Sequence, residues 1–363
     1  VKSGGEIDKE AFLRSFSVYF PGKVVPMLPE KLSNDLCSLR PRELKLSFSV
    51  SVEISDFYKI ESVWIGKGAV CSNHRFTYEE AEKIITTNTG LFSKELCALN
   101  KIAQKMRARR MSGGSIDFNR TDLSFKLNPV GEPSSIVENK SLNSHRLVEE
   151  FMLLANKIVA KKLSAFKNCI YRVHDLPDDE KIKDLVNYLN HLGVVAPKKL
   201  SHKNLAQFAN NILNTSSGAG NIKVVENLIL RAMAKAKYSI KNSGHYGLGF
   251  EKYTHFTSPI RRYADLIIHR QMESLLINKK YISLNAEKKC NHFSKMERLY
   301  VDVERKTNKF IQLLLLKNSS EKVFRGFISG VAKWGIYVEL NGGRGEGLVP
   351  LEELRRAGCF YNT

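Results

Sequence analysis

The sequence predicts an α+β fold followed by a smaller all-β region, and three patterns along the chain support that prediction. Apolar side chains recur at helical spacing over residues 145–163 and give that segment a single apolar face. Apolar and polar residues alternate over residues 46–52, which is typical of a half-buried strand. From Val323 onward, short apolar segments separated by glycine-rich turns replace the helical spacing. We therefore expect a first domain over residues 1–320 and a second over residues 321–363.

Local signals predict the individual elements of the first domain. Four prolines interrupt the start of the chain, so residues 1–70 should form short strands and turns. Thr77 is a preferred helix cap and Glu80 completes a capping box, which predicts a helix beginning at that point. A basic helix should cover residues 101–110, and a hairpin should follow it. Further helices are predicted at residues 181–193, 204–213, 224–238 and 291–316, and one more should begin at Pro259.

The balance of charge indicates the kind of partner that the protein binds. Across 363 residues, 57 Lys and Arg face 37 Asp and Glu, which gives a formal net charge of +20 and an isoelectric point near 9.6. A surplus of this size favours a polyanion, with RNA, DNA and anionic membrane surfaces as the main classes. The alternative is a soluble protein from a lysine-rich proteome. No apolar run is long enough to cross a bilayer, and the first residues lack the pattern of a secretory signal.

The cysteines indicate a reducing compartment. Six cysteines are scattered along the chain, and no two of them form a Cys-x-x-Cys pair. That spacing argues against a zinc site and suits reduced thiols in a cytoplasm. The chain begins with Val rather than Met, so we expect a further segment upstream of it.

One segment, His255-Phe-Thr-Ser-Pro-Ile-Arg-Arg-Tyr-Ala-Asp-Leu266, combines a helix start with two arginines. Ser258 is a preferred N-cap, and the proline after it is a preferred first helical residue. Arg261 and Arg262 would then lie in the first turn, where the helix dipole disfavours cations by about 0.3–1 kcal/mol each. Two arginines at that position make sense if free backbone N–H groups and guanidinium groups together bind a phosphate. The alternative is that Asp265, four residues after Arg261, simply neutralises one of the two arginines.

The same segment resembles the signature of the RNB family, the catalytic domain of RNase II and RNase R. Three further blocks, at residues 19–39, 145–156 and 244–250, resemble the family in the same order along the chain. Four ordered blocks argue against coincidence. The resemblance implies a mixed sheet with packed helices. It also implies a 3′→5′ exoribonuclease that hydrolyses single-stranded RNA processively to nucleoside 5′-monophosphates.

The resemblance further implies roles for particular residues. Tyr19 and Phe118 match aromatic residues that clamp the last bases of an RNA 3′ end. Rings suit that role because stacking on a ring accepts every base. Tyr78, Glu149 and Glu304 match positions that recognise the ribose, where a carboxylate can accept a hydrogen bond from the 2′-hydroxyl. Without the resemblance, Phe118 would be assigned to the core of a hairpin and Glu304 to a solvated helix face.

By the same resemblance, Arg261 contacts the scissile phosphate and stabilises the charge that builds up as water attacks. Arg262 is expected to form a salt bridge or to bind a backbone phosphate of the RNA. Basic residues within 101–110 either line the RNA path or form a solvated basic face. The family's Mg²⁺ is held by an aspartate cluster, which the resemblance places upstream of Tyr19 and outside this chain. No metal ligand is therefore assigned to the residues present.

The second predicted domain resembles, over residues 326–351, the first half of an OB-fold RNA-binding domain of the ribosomal-protein-S-one type. Phe327, Trp334 and Tyr337 would offer stacking surfaces for bases, although aromatic residues at strand spacing belong more often to a core. We expect this barrel to be incomplete within the chain, since about forty residues are too few to close it.

Three hypotheses follow for the function. The first is a magnesium-dependent 3′→5′ exoribonuclease that acts as a monomer in the cytoplasm on single-stranded RNA 3′ ends. The second is a catalytically inactive RNA-binding remnant of such an enzyme, which the absence of the aspartate cluster favours. The third, a basic ribosome-associated structural protein, explains the charge but leaves the ordered blocks unexplained.

Overall fold

The structure, a computed structural model, describes residues 1–117, 122–139, 141–191, 194, 197, 200–202, 204–215, 220–279, 284–321 and 323–358. The α-helices within those ranges are Glu6–Arg14 (α1), Tyr78–Thr87 (α2), Ser93–Ser112 (α3), Asn143–Leu163 (α4), Asp179–His191 (α5), Leu205–Thr215 (α6), Gly220–Ala232 (α7), Tyr263–Leu276 (α8), Ala286–Lys317 (α9) and Leu351–Arg356 (α10). The strands are Val18–Phe20 (β1), Lys23–Val25 (β2), Leu44–Ile54 (β3), Ile60–Cys71 (β4), Asp122–Leu127 (β5), Pro133–Asn139 (β6), Tyr171–Val173 (β7), Lys237–Ser239 (β8), Gly326–Ala332 (β9), Gly335–Leu340 (β10) and Gly345–Pro350 (β11).

The described strands form small antiparallel sheets between the helices. β1 pairs with β2, β3 with β4, β5 with β6 and β7 with β8, and the C-terminal strands form a three-stranded sheet in the order β11-β10-β9. The long β3–β4 hairpin pairs Leu44 with Cys71 at its base and Val52 with Val63 near its tip. The predicted α+β class is confirmed, with the C-terminal part rich in strands.

The main hydrophobic core lies between α4, α8 and α9. Leu163, Ile267 and Phe293 are among its fully buried side chains. Phe48 of the β3–β4 hairpin packs edge-to-face on Phe256 at a ring-centroid distance of 5.6 Å, which fixes the hairpin on this core. A separate cluster of buried apolar side chains lies between α5, α6 and α7.

Helix α1 is an element that the sequence prediction missed. Only short strands and turns are predicted over residues 1–70, and a nine-residue helix is too short to be stable by itself. Tertiary contacts supply its stability, because the buried carboxylate of Asp8 accepts hydrogen bonds from the Tyr263 hydroxyl (2.8 Å) and Arg270 Nη2 (2.6 Å). Burial acts to raise the pKa of Asp8, but the hydrogen bonds from Arg270 and from backbone outweigh it and lower the pKa. Helix α1 therefore depends on α8.

Most of the other predicted elements are confirmed. The Thr77 hydroxyl accepts a hydrogen bond from the Glu80 N–H, and the Glu80 carboxylate accepts one from the Thr77 N–H, so the capping box forms as predicted. Helix α4 follows the apolar spacing on which its prediction rests. The helix predicted over residues 224–238 is wrong at its end. It stops at Ala232 because β8 pairs with β7.

The C-terminal sheet packs against the last turns of α9. Gln312 Nε2 donates a 2.6 Å hydrogen bond to the Gly343 carbonyl. Lys309 forms a 3.3 Å ion pair with Glu346 of β11. The OB-fold assignment of this sheet and the domain boundary near residue 320 stay predictions.

The state of the cysteines and the hydrophobicity of the helices are both predicted from the sequence. The described cysteines at positions 37, 71, 97, 169 and 290 are free thiols, and the sixth lies outside the described residues. Among the helices of the described ranges, none combines the length and hydrophobicity that crossing a membrane requires.

Buried histidines predict that stability depends on pH. Burial is the largest cause of a lowered pKa at His174, His245, His255 and His269, and the pKa of His245 falls to about 3. The unfolded chain takes up protons near pH 6.5 that these folded-state rings do not, so the stabilisation is complete above that pH and is lost as pH falls below it. We expect the free energy of unfolding to decrease from pH 7 to pH 5 by up to about 1.4 kcal/mol per pH unit for each histidine.

Urea unfolding at the two pH values measures this decrease. His74 is exposed, so His74→Gln is a matched control that should retain the full decrease, whereas His245→Gln should show a smaller one. A free energy of unfolding that stayed constant between pH 7 and pH 5 would contradict the burial of neutral histidines.

Candidate nucleic-acid interface

The two arginines of the motif lie in a turn that precedes a helix. The sequence predicts a helix start at Ser258, but α8 begins at Tyr263, so that prediction is wrong. The Ser17 N–H donates a 3.0 Å hydrogen bond to the Arg261 carbonyl. A second bond, of 2.8 Å, runs from the Tyr263 N–H to the Ser15 carbonyl. Because this pairing holds the backbone extended beside the residues that precede β1, the helix begins only where the pairing ends.

Arg262 is neutralised inside the protein. Its Nε donates to Asp265 Oδ2 at 2.9 Å, and its Nη2 donates to Oδ1 at 2.8 Å. Asp265 is completely buried, and its Oδ1 also accepts the Ser258 N–H at 2.8 Å. Burial acts to lower the pKa of Arg262, but the attraction of Asp265 outweighs it and raises the pKa. The expected salt bridge of Arg262 is confirmed. The alternative in which Asp265 neutralises one of the two arginines is confirmed as well, and that arginine is Arg262.

Arg261 differs from its neighbour because its side chain is exposed. Within the described ranges, no carboxylate pairs with its guanidinium and no hydrogen bond occupies it. Its backbone is nevertheless fixed by the hydrogen bond from Ser17. A rigid turn therefore presents forked N–H donors of the kind that bind a phosphate.

Strand β1 connects two more predicted residues to Arg261. Tyr19 lies two residues after Ser17, and it is 48% exposed. The Tyr19 N–H donates a 3.0 Å hydrogen bond to Oε1 of Glu304, which lies on α9, 285 residues along the chain. Residues 17–19 thus link the backbone of Arg261, the aromatic ring of Tyr19 and the carboxylate of Glu304. The side chains of these three residues can contact the phosphate, the base and the ribose of a nucleotide.

Tyr78 and Glu149 form a second group at the N-terminal end of α4. The Tyr78 ring stacks on the His145 ring at a centroid distance of 3.9 Å and an angle of 15°. Glu149 lies one helical turn after His145 on the same face, and it accepts a 3.2 Å hydrogen bond from Arg110 Nη2. Sequence reasoning missed His145, which the four-residue spacing from Glu149 could have indicated. It placed Arg110 in the basic run 101–110 but missed its pairing with Glu149, because the two residues belong to different helices.

The arginines of the basic run 101–110 all bind groups of the protein itself. Arg110 is buried and binds Glu150 through Nε at 3.1 Å as well as Glu149. Arg107 Nη2 binds both oxygens of Asp117 at 2.6 Å, and Arg109 donates to two carbonyls at the tip of the β3–β4 hairpin. The two lysines of the run are exposed on α3, and they make no ion pair with a described residue; Arg109 is exposed as well, but its guanidinium already donates to the hairpin carbonyls.

The other predicted aromatic contacts have different outcomes. Phe118 lies outside the described residues, so its role stays a prediction. Trp334 is 60% exposed, and its Nε1 donates a 3.2 Å hydrogen bond to the Tyr337 hydroxyl. Phe327 is half-buried on β9. Trp334 therefore offers an accessible ring at the start of β10.

The resemblance implies a Mg²⁺ ion, which requires a group of acidic ligands. Among the described residues, no group of three or more His, Cys, Asp or Glu side chains is arranged to hold a metal ion. The candidate interface therefore does not fit a magnesium centre, and its groups suit nucleic-acid binding and charge stabilisation instead.

Comparison with known proteins gives one family. Residues 1–278 match the RNB domain. Ribonuclease R of Aquifex aeolicus is 37% identical over 365 residues, which cover 98% of this chain and 52% of that protein. Ribonuclease R of Thermotoga maritima is 32% identical, with the same two coverages. The chain thus spans about half the length of the curated relatives it matches.

The solved structures agree with the sequence comparison. Mycoplasma genitalium RNase R in complex with ribose methylated single-stranded RNA matches with a TM-score of 0.89 and 29% identity. The match covers 97% of this chain and 57% of that one.

We expect the two adjacent arginines to differ in their effect on stability. Arg262→Ala leaves the carboxylate of Asp265 buried without its counterion, so the free energy of unfolding should fall by about 3–5 kcal/mol. Arg261→Ala removes an exposed side chain and should change it by less than about 0.5 kcal/mol. Urea unfolding followed by circular dichroism measures both values. Equal losses for the two variants would show that the arginines do not have separate roles.

Proposed function

This chain belongs to the RNB-domain family, and on that premise we propose that it is the RNA-contacting part of a 3′→5′ exoribonuclease of the RNase II and RNase R type. The observation on which the proposal depends is the exposed side chain of Arg261, whose backbone is hydrogen-bonded to Ser17, two residues before Tyr19. The similarity to Ribonuclease R proteins over nearly the whole chain supports it, as does the matching structure that contains single-stranded RNA.

The phosphate contact is assigned to Arg261. Its forked donors match two phosphate oxygens and stabilise the negative charge that develops on the scissile phosphate as water attacks. Arg262 is only 12% exposed at its side chain, so it supports this contact chiefly by holding the turn through Asp265. A direct contact of Arg262 with a backbone phosphate would use that exposed edge.

The contacts to the nucleosides use rings and carboxylates. Tyr19 stacks on a base, which suits an enzyme that must accept every base in turn. One oxygen of Glu304 holds the Tyr19 N–H, and the other can accept a hydrogen bond from a 2′-hydroxyl. Tyr78 and Glu149 provide the same pair of groups for another nucleotide. Phe118 is the second clamping ring.

The reaction of the whole protein is the processive release of nucleoside 5′-monophosphates from single-stranded RNA 3′ ends. The net charge of +20 supports processivity, because it keeps the polyanion bound between cycles. The free thiols of the described cysteines suit a protein of the cytoplasm, where we propose that it acts as a monomer. The described residues include no group of side chains arranged to bind magnesium, so the roles assigned to this chain do not involve that ion.

Removal of Arg261 tests the proposed phosphate contact. In the protein with its natural flanking sequence, Arg261→Ala should lower kcat about 100- to 1000-fold, because the contact strengthens as charge develops. The Kd for single-stranded RNA should change less than about 3-fold. Arg261→Lys keeps the positive charge but lacks the forked N–H donors, so its kcat should lie between that of the unsubstituted protein and that of Arg261→Ala. Single-turnover degradation of a 5′-labelled oligoribonucleotide and filter binding measure the two quantities.

Two results would require a different function. Lost RNA binding with normal turnover in Arg261→Ala would contradict the assigned phosphate contact. RNA binding without release of mononucleotides by the unsubstituted protein would identify it as an inactive RNA-binding relative of the enzyme.

Salt dependence tests whether RNA binding is electrostatic. Raising the salt concentration from about 50 to about 200 mM should weaken binding to a single-stranded oligoribonucleotide by about 100-fold or more, because counterions are released from the phosphates. Lys101 and Lys105 are exposed on α3, and replacing both with Ala should lower the slope of log K against log salt by about 1.4 if they line the RNA path. Binding that does not respond to salt would contradict a basic RNA path.

A further inference from the structure

We infer that His145 is a positioning residue, which holds the Tyr78 ring in the orientation in which its open side receives a nucleotide of the RNA. The inference rests on the proposed function, because it assigns a support to one of the proposed RNA contacts. His145 itself does not need to touch RNA for this role.

The geometry of the two rings indicates support rather than chance contact. Their centroids are 3.9 Å apart and their planes differ by 15°, so His145 covers one face of Tyr78. Tyr78 nevertheless remains 43% exposed, which leaves the rest of the ring accessible. An exposed tyrosine without such a partner moves between rotamers, and a ligand that binds one rotamer must first select it.

The backbones beneath the two rings are fixed independently of the stack. The Ser144 hydroxyl donates a 2.8 Å hydrogen bond to the Tyr78 carbonyl, and Ser144 is buried. The carboxylate of Glu82 on α2 accepts the Ser144 N–H and the Asn143 side-chain amide, each at 2.9 Å. Because these bonds join the starts of α2 and α4, the remaining freedom of Tyr78 is rotation of its side chain.

The imidazole is itself held in place. His145 Nδ1 accepts a 3.3 Å hydrogen bond from the Leu142 N–H, which restricts rotation of the ring. A fixed ring is a suitable surface on which to align a second ring. His145 therefore transmits the orientation of α4 to Tyr78.

The direction in which Tyr78 is held matters because of Glu149. His145 and Glu149 occupy the same face of α4 one turn apart, so the supported ring lies on the same side of the helix as the carboxylate. Arg110 holds Glu149 from α3, as His145 holds Tyr78 from α4. A nucleotide can contact the ring and the carboxylate together only while both are oriented.

Two substitutions of His145 separate the stack from the hydrogen bond to Leu142. His145→Phe keeps an aromatic ring and lacks the acceptor, whereas His145→Asn keeps an acceptor and lacks the ring. Each is made in the protein with its natural flanking sequence, alone and with Tyr78→Ala. The measurements are the Kd for a single-stranded oligoribonucleotide and the melting temperature. His145→Leu replaces His145→Asn if the latter does not fold.

The expected pattern follows from support through Tyr78. Tyr78→Ala should raise the Kd about 5- to 150-fold, which is the range for loss of one stacked base. His145→Asn should raise it by about 5-fold or more, and His145→Phe should stay within about 2-fold of the unsubstituted protein. Because His145 acts through Tyr78, the double variant Tyr78→Ala, His145→Asn should bind within about 2-fold of Tyr78→Ala.

The outcomes distinguish this inference from the proposed function. An unsubstituted protein that failed to bind the oligoribonucleotide would overturn both. Normal RNA binding by His145→Asn, or additive losses in the double variant, would overturn only the role of His145. A Kd that changes equally in His145→Phe and His145→Asn, with a parallel loss of melting temperature, would show that His145 serves folding alone.

Discussion

The buried carboxylate of Asp265 determines which of two adjacent arginines stays exposed and free for the proposed contact with RNA. A carboxylate without solvent needs a counterion and hydrogen-bond donors, because an unpaired buried charge is strongly destabilising. Arg262 supplies the counterion through a two-bond fork, and the Ser258 N–H supplies a further donor. The turn between them is thereby closed, and Arg261 at its outer edge keeps an exposed guanidinium. The interface proposed for RNA depends on this internal pair.

The first twenty residues of the chain link the helices that form the interface. Asp8 joins α1 to α8 through Arg270, and Ser17 binds the carbonyl of Arg261. Two residues later, the Tyr19 N–H binds a carboxylate of α9. The positions of the groups proposed to bind a phosphate and to stack on a base are thus set by backbone and buried polar contacts. Side chains at the surface are left free to contact a ligand.

The two groups of candidate residues have the same composition. Each combines an exposed tyrosine with a glutamate, Tyr19 with Glu304 and Tyr78 with Glu149. Ring stacking accepts any base, and a carboxylate distinguishes ribose from deoxyribose. This combination suits an enzyme that moves along RNA of any sequence. Neither group requires an edge-specific contact to a base.

The sequence by itself determined the elements whose signals lie within a few residues, such as the capping box at Thr77 and the apolar face of α4. The local pattern also singled out Arg261 and Arg262 as phosphate-binding candidates, and resemblance to a family added the aromatic and glutamate candidates. Only the tertiary structure decided that α1 forms, that α8 starts after Arg262, and that Arg262 takes Asp265 as its partner. The supporting roles of His145 and Arg110 also required it. Local patterns record neighbours in the chain, whereas α1 and the start of α8 depend on contacts between segments up to 262 residues apart.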